Sequence, residues 1–109
     1  MSTVFENQAV LLKIYVDENA WTNGQKTAEW ISCRACEMGL AGASVFRGIG
    51  GYCSNAPIMA PEFFDFRLAR PLLIEIVDQP DKIEQFAALL KNEVNGLLLC
   101  RVPVAVCSC

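Results

Sequence analysis

Histidine is absent from all 109 positions. Its absence removes the commonest general base near neutral pH, and with it the Ser-His and Cys-His nucleophile pairs. The chain is therefore expected not to be an enzyme. Charge is also scarce: 19% of the residues are charged and 53% are apolar, a balance shifted away from average globular usage in both respects. Nine basic and twelve acidic side chains leave a net charge of −3 with no basic stripe, so nucleic acid is not an expected partner. Apolar runs stay at a few residues, far short of a membrane-crossing helix, and no membrane insertion is expected. Met1–Asn7 lacks the basic and apolar regions of a secretory signal, which gives a cytoplasmic expectation.

The length fits one domain spanning 1–109. A single core of this size cannot hide so large an apolar share, so other subunits are expected to cover part of it. Six cysteines are present, and without a signal segment they are read as free thiols in a reducing compartment. Cys33 and Cys36 form a C-x-x-C pair in the middle of an expected helix, projecting away from its apolar stripe. Two thiolates are half of a structural zinc site; the simpler reading, preferred here, is two small residues on an exposed or subunit-facing surface. Cys107 and Cys109 form a C-x-C tail that suits a soft metal or a reversible disulfide, or stands idle. Cys100 alternates with valines and is assigned to the core. No metal ligand set is assigned.

Val10–Val16 reads as a strand with Leu12, Ile14 and Val16 on one face. Asn23-Gly24 marks a turn before a helix over Lys26–Met38, whose apolar stripe is Ala28, Ile31, Ala35 and Met38. Ala43–Arg47 is a second strand and Leu72–Val77 a third. Pro80 opens a second helix at its first position, with Ile83, Phe86, Leu90 and Val94 as its stripe. Leu97–Val106 is the last strand, and Pro103 places it at a sheet edge. The expected order is βαββαβ, an α+β ferredoxin-like fold with an antiparallel sheet and two helices on one face. Residues 1–9 are expected to fray, 52–70 to form a long mobile loop, and 107–109 to be a cysteine-rich tail. Trp21, Trp30, Tyr15 and Phe63-Phe64 are expected in core or subunit packing, with Phe63-Phe64-x-Phe66 a second option as an anchor for a partner.

Three blocks carry a resemblance: Leu12-Lys13-Ile14-Tyr15-Val16, the stretch from Gly39 through Arg47 to Gly51, and Ile74-Glu75-Ile76-Val77-Asp78 running on to Glu84. Together they resemble the PII-like family known as domain of unknown function 190, over about Leu11 to Val104. The resemblance implies a trimeric PII-like signalling or regulatory protein. It would bind a small anionic effector at clefts between subunits and control a partner through the 52–70 loop. No cofactor is implied with certainty; an adenine nucleotide is the effector class implied. Asn95-Gly96 lacks the lysine and second glycine that hold a triphosphate in PII itself, which points to a nucleotide with few phosphates or another anion. Some relatives are encoded beside fluoride-exporter genes, which implies a membrane transporter or channel as partner.

The ligand-binding positions implied are Arg47, Gly48, Gly50, Gly51, Gly96 and Arg101. Glycine lets backbone N–H groups approach an anion, and arginine offers a planar fork. Arg47, Arg67 and Arg70 could converge on such an anion, or pair with acids such as Glu62 and Asp65. The reading from a different class is a CutA-like or cysteine-based metal-binding trimer.

Overall fold

The computed structural model describes residues 8–48 and 71–107. The segment 1–7, the 52–70 loop with Gly50 and Gly51, and the last two residues lie outside them. Ala9 is already buried in the first strand, so the expected fraying does not reach it.

The elements are β1 (Ala9–Asp17), β2 (Trp21–Thr22), β3 (Gln25–Lys26), α1 (Thr27–Glu37), β4 (Ala43–Arg47), β5 (Pro71–Asp78), α2 (Pro80–Glu93) and β6 (Leu98–Val104). Four strands make one antiparallel sheet in the order β4-β5-β1-β6. This is the ferredoxin-like α+β arrangement. β4 and β6 are its edges, and Pro103 lies on one of them, where a missing N–H breaks no ladder.

Side-chain alternation divides the sheet cleanly. Leu12, Ile14 and Val16 of β1 and Leu72, Ile74 and Ile76 of β5 share the face covered by the helices. Against them pack Trp30, Ile31 and Ala35 of α1, and Ile83, Phe86 and Leu90 of α2, with Val94 just beyond it. All four residues of the expected α2 stripe are buried. On α1 the buried stripe is rotated toward Thr27 and Trp30, and Met38 is exposed. The reason is that Met38 is the helix cap, where the backbone has left the helical path.

α1 stops in a Schellman motif. Leu40 N–H donates to the Ala35 carbonyl and Gly39 N–H to the Cys36 carbonyl, both at 3.1 Å. Gly39 has φ +75°, a conformation in which a Cβ is strained.

Between β1 and α1 the chain makes a small hairpin that the sequence reading had only as a turn. Asn23 and Gly24 both have positive φ, the requirement of a two-residue type I′ turn. The hairpin is tied to the helix start by Thr27 N–H donating to the Ala20 carbonyl at 2.8 Å. The Thr22 and Thr27 hydroxyls also bond at 2.7 Å. Trp21 sits on this hairpin and is 64% exposed, so its expected place in packing is not met within the subunit.

Among the described residues, nothing covers the sheet face away from the helices. Leu11 lies opposite Val77 and Val102, Tyr15 opposite Leu73 and Leu98, and Phe46 opposite Leu73. Cys100 belongs to this face, opposite Lys13, and is only partly buried. It is therefore not part of the helix-covered core. Phe46 is 50% exposed and Val102 37%.

Candidate functional site

At one end of the sheet β4 finishes with Arg47 in register with Leu72, the second residue of β5. The next residue, Gly48, donates its N–H to the Pro71 carbonyl at 2.8 Å. The chain thus leaves the sheet at Gly48 and returns at Pro71 across one backbone hydrogen bond, which makes a closed neck. The fit is tight. A Cβ on Gly48 would lie 2.9 Å from Pro71 Cγ and 3.3 Å from its carbonyl oxygen. Proline's ring gives little room to yield, so Gly48→Ala is expected to destabilise the domain by about 1–3 kcal/mol, read as a lowered denaturant midpoint. An unchanged midpoint would show that the neck gives way freely.

Arg47 reaches from this neck to Glu18 at the end of β1, with Nη2 2.7 Å from Oε2. The Arg47 side chain is 59% exposed, so the pair is worth at most about 1 kcal/mol in stability. Asp17 fixes the turn that presents Glu18, its Oδ1 accepting the Asn19 N–H at 2.8 Å. The acids considered as partners from the sequence, Glu62 and Asp65, lie outside the described residues.

Gly96 has φ +80° and stands just before β6. Leu98 pairs with Tyr15 and Arg47 with Leu72, which pairs with Val16. Gly96 is therefore at the same end of the sheet as Arg47 and Gly48, on the opposite edge. Arg101 lies level with Leu12 and pairs with Glu84 of α2 at 3.2 Å. Strand spacings of about 4.8 Å and rises of about 3.3 Å per residue put the Arg47 and Arg101 backbones roughly 20 Å apart. Within one subunit the two arginines do not converge. Gly50 and Gly51, and Arg67 and Arg70, fall outside the described residues.

Neither Glu18 nor Glu84 was singled out by sequence reasoning. Glu84 had a signal: Arg101 has the parity of Leu99 and Pro103, which faces α2, and Glu84 is in the first turns of that helix. Glu18 had none, because its pairing with Arg47 depends on where β1 and β4 end in space.

A second cluster joins the two longest motif blocks. Asp78 continues the buried parity of β5 and is 1% exposed. Its Oδ2 accepts the Ala41 N–H at 2.8 Å and its Oδ1 the Gln79 N–H at 2.6 Å. Lys82 Nζ donates to the Gly39 carbonyl at 3.2 Å. The Gly39–Gly42 turn is therefore held by the β5–α2 junction from two sides. This places a large part of the motif set in a structural clamp between chain segments.

A family model described as "Uncharacterized ACR", DUF190, matches residues 9–106, from the first residue of β1 to just past β6. The chain belongs to the DUF190 family. DUF190 is part of the PII-like superfamily. Similar members include the UPF0166 protein of Aquifex aeolicus (strain VF5), 36% identical over 88 residues that cover 81% of this chain and 84% of that protein. A UPF0166 protein of Methanocaldococcus jannaschii is 32% identical over 96 residues, covering 84% of this chain and 86% of that protein. The Asp78 clamp and the Gly48–Pro71 neck both lie within the region matched by the DUF190 model.

Proposed function

We propose that this DUF190 chain is a PII-like regulatory protein that binds a small anion between subunits and signals through the segment held at the Gly48–Pro71 neck. The observation that carries the reading is the neck itself. It sets an exposed arginine and a close-approach glycine at the point where the chain leaves the sheet toward residues 49–70. An anion drawing Arg47 away from Glu18 changes the charge pattern at the base of that segment. The effector then favours one arrangement of the segment over another, and a transporter or channel is the proposed class of partner.

The oligomer is part of the proposal. Among the described residues the open sheet face presents Leu11, Tyr15, Phe46, Leu73, Leu98 and Val102, exposed or half-buried, an apolar set of the kind a subunit contact covers. A trimer that buries it also brings the β4 edge of one subunit toward the β6 edge of the next. Arg47 and Arg101 then serve one anion from different subunits. Light scattering is expected to give three times the 12.0 kDa chain mass. Val102→Asp, which puts a charge on the open face, is expected to yield a folded monomer. A parent protein that is monomeric at micromolar concentration would remove both the trimer and the shared site.

The ligand is tested by calorimetry with AMP and ADP on the parent trimer. Loss of one charge-assisted hydrogen bond costs about 1.5–3 kcal/mol, roughly ten- to a hundredfold in affinity. Arg47→Ala and Arg101→Ala are each expected to weaken binding by that factor with the trimer intact. Equal binding by parent and both variants would overturn the site.

A further inference from the structure

Cys33 and Cys36 are both free and both exposed on the outer face of α1. Beneath them Trp30, Ile31 and Ala35 anchor the helix in the core, so the two thiols ride on a fixed backbone. Residues three apart on a helix hold their Cβ atoms about 5–6 Å from each other. A disulfide needs about 3.5–4.5 Å between Cβ atoms, so this pair cannot close one without unwinding the last turns of α1. That unwinding is opposed. The Ala35 and Cys36 carbonyls accept the Leu40 and Gly39 N–H groups of the Schellman stop, and the turn beyond is held by Asp78 and Lys82.

A metal bridge has no such difficulty. With metal–sulfur bonds of about 2.3 Å, two sulfurs on one ion can stand up to about 4.6 Å apart. Side chains rising from Cβ atoms at helical spacing reach that separation in ordinary rotamers. The helix therefore suits an inserted ion and disfavours a direct sulfur–sulfur bond.

The donor set narrows the ion. Among the described residues no group of three or more Cys, Asp or Glu side chains could hold a metal, and histidine is absent. Zinc takes four ligands in its structural sites, and the described residues bring only the two thiols together here. A monovalent soft cation is satisfied by two thiolates, and thiolate softness selects Cu(I). We propose that Cys33 and Cys36 form a two-thiolate site for Cu(I) on the outer face of α1. On binding, each thiol releases its proton to solvent and forms one sulfur–copper bond; the copper stays monovalent and no electron is transferred. The site lies on the helix side of the sheet, away from the open face, and does not depend on the regulatory reading.

The experiment is an anaerobic competition between the reduced full-length protein and a chromophoric Cu(I) chelator. It compares the parent with Cys33→Ser/Cys36→Ser and with the reciprocal Cys53→Ser/Cys107→Ser/Cys109→Ser. The parent is expected to withhold Cu(I) from the chelator, the reciprocal variant to keep a single Cu(I) per chain, and the Cys33/Cys36 variant to lose that ion. Both positions in the latter are exposed, so serine leaves the core untouched. Equal copper retention by the parent and the Cys33/Cys36 variant would overturn the proposal. So would a folded reciprocal variant that retains no copper.

Discussion

Asp78→Ala is expected to lower the melting temperature by more than about 10 °C at fixed protein concentration. The carboxylate is buried and accepts two backbone N–H groups, from Ala41 and Gln79. Hydrogen bonds to a charged group contribute about 1.5–3 kcal/mol each, and both are lost in the alanine variant. A net loss of about 3 kcal/mol is a large part of a marginal stability of 5–15 kcal/mol, and in a domain of this size each kcal/mol moves the midpoint by about 4–8 °C. Asp78→Asn keeps one acceptor oxygen but turns an amide N–H₂ toward the other N–H, so it recovers at most about half. The clamp also predicts where the damage falls: exchange of the Ala41 amide accelerates in both variants. If Asp78→Ala melted within a few degrees of the parent with Ala41 still protected, the clamp would not be holding the Gly39–Gly42 turn.

Phe86→Ala is expected to cost more, about 3–5 kcal/mol, because it removes a fully buried ring and leaves a cavity between α2 and the sheet. Such a loss brings the domain close to its unfolding threshold, measured as a collapse of the denaturant midpoint. Phe46→Ala provides the contrast. That ring is half exposed on the open face, and its loss is expected to change the stability of a single subunit by less than about 1 kcal/mol while loosening the trimer proposed above. If both variants damaged an isolated subunit equally, the division into a covered and an open sheet face would be wrong.

Most of the framework was legible from residue spacing. Alternation in β1 and β5 identified the covered face, and Ile83, Phe86, Leu90 and Val94 identified that of α2, because long regular elements repeat their pattern several times. Two-residue strands carry no period, and β2 and β3 were read only as an Asn-Gly turn. The α1 stripe was placed one side too far round, since periodicity alone does not say that Met38 has already left the helix or that Trp30 lies over the core. Cys100 shares its alternation with the valines. Alternation assigns a residue to a face without saying which face is covered. For the candidate ligand positions the sequence indicated the strand or turn that carries each, not their grouping in space. Arg47, Gly48 and Gly96 do lie at one end of the sheet, and Arg101 lies apart. The ion pairs could not be read, since Arg47 and Glu18 are 29 positions apart and meet only through strand register.

The neck has a consequence for how this chain can change. Gly48 and Pro71 are fixed by their own hydrogen bond and by the β4–β5 ladder, so the register of β4 against β5 is set at the neck itself. Closing a longer insert costs only about 0.6 kcal/mol for each doubling of length. New sequence can therefore be grafted there, in the laboratory or by descent, without disturbing strand register. Related chains can differ in length and composition at this position while the scaffold beneath stays the same.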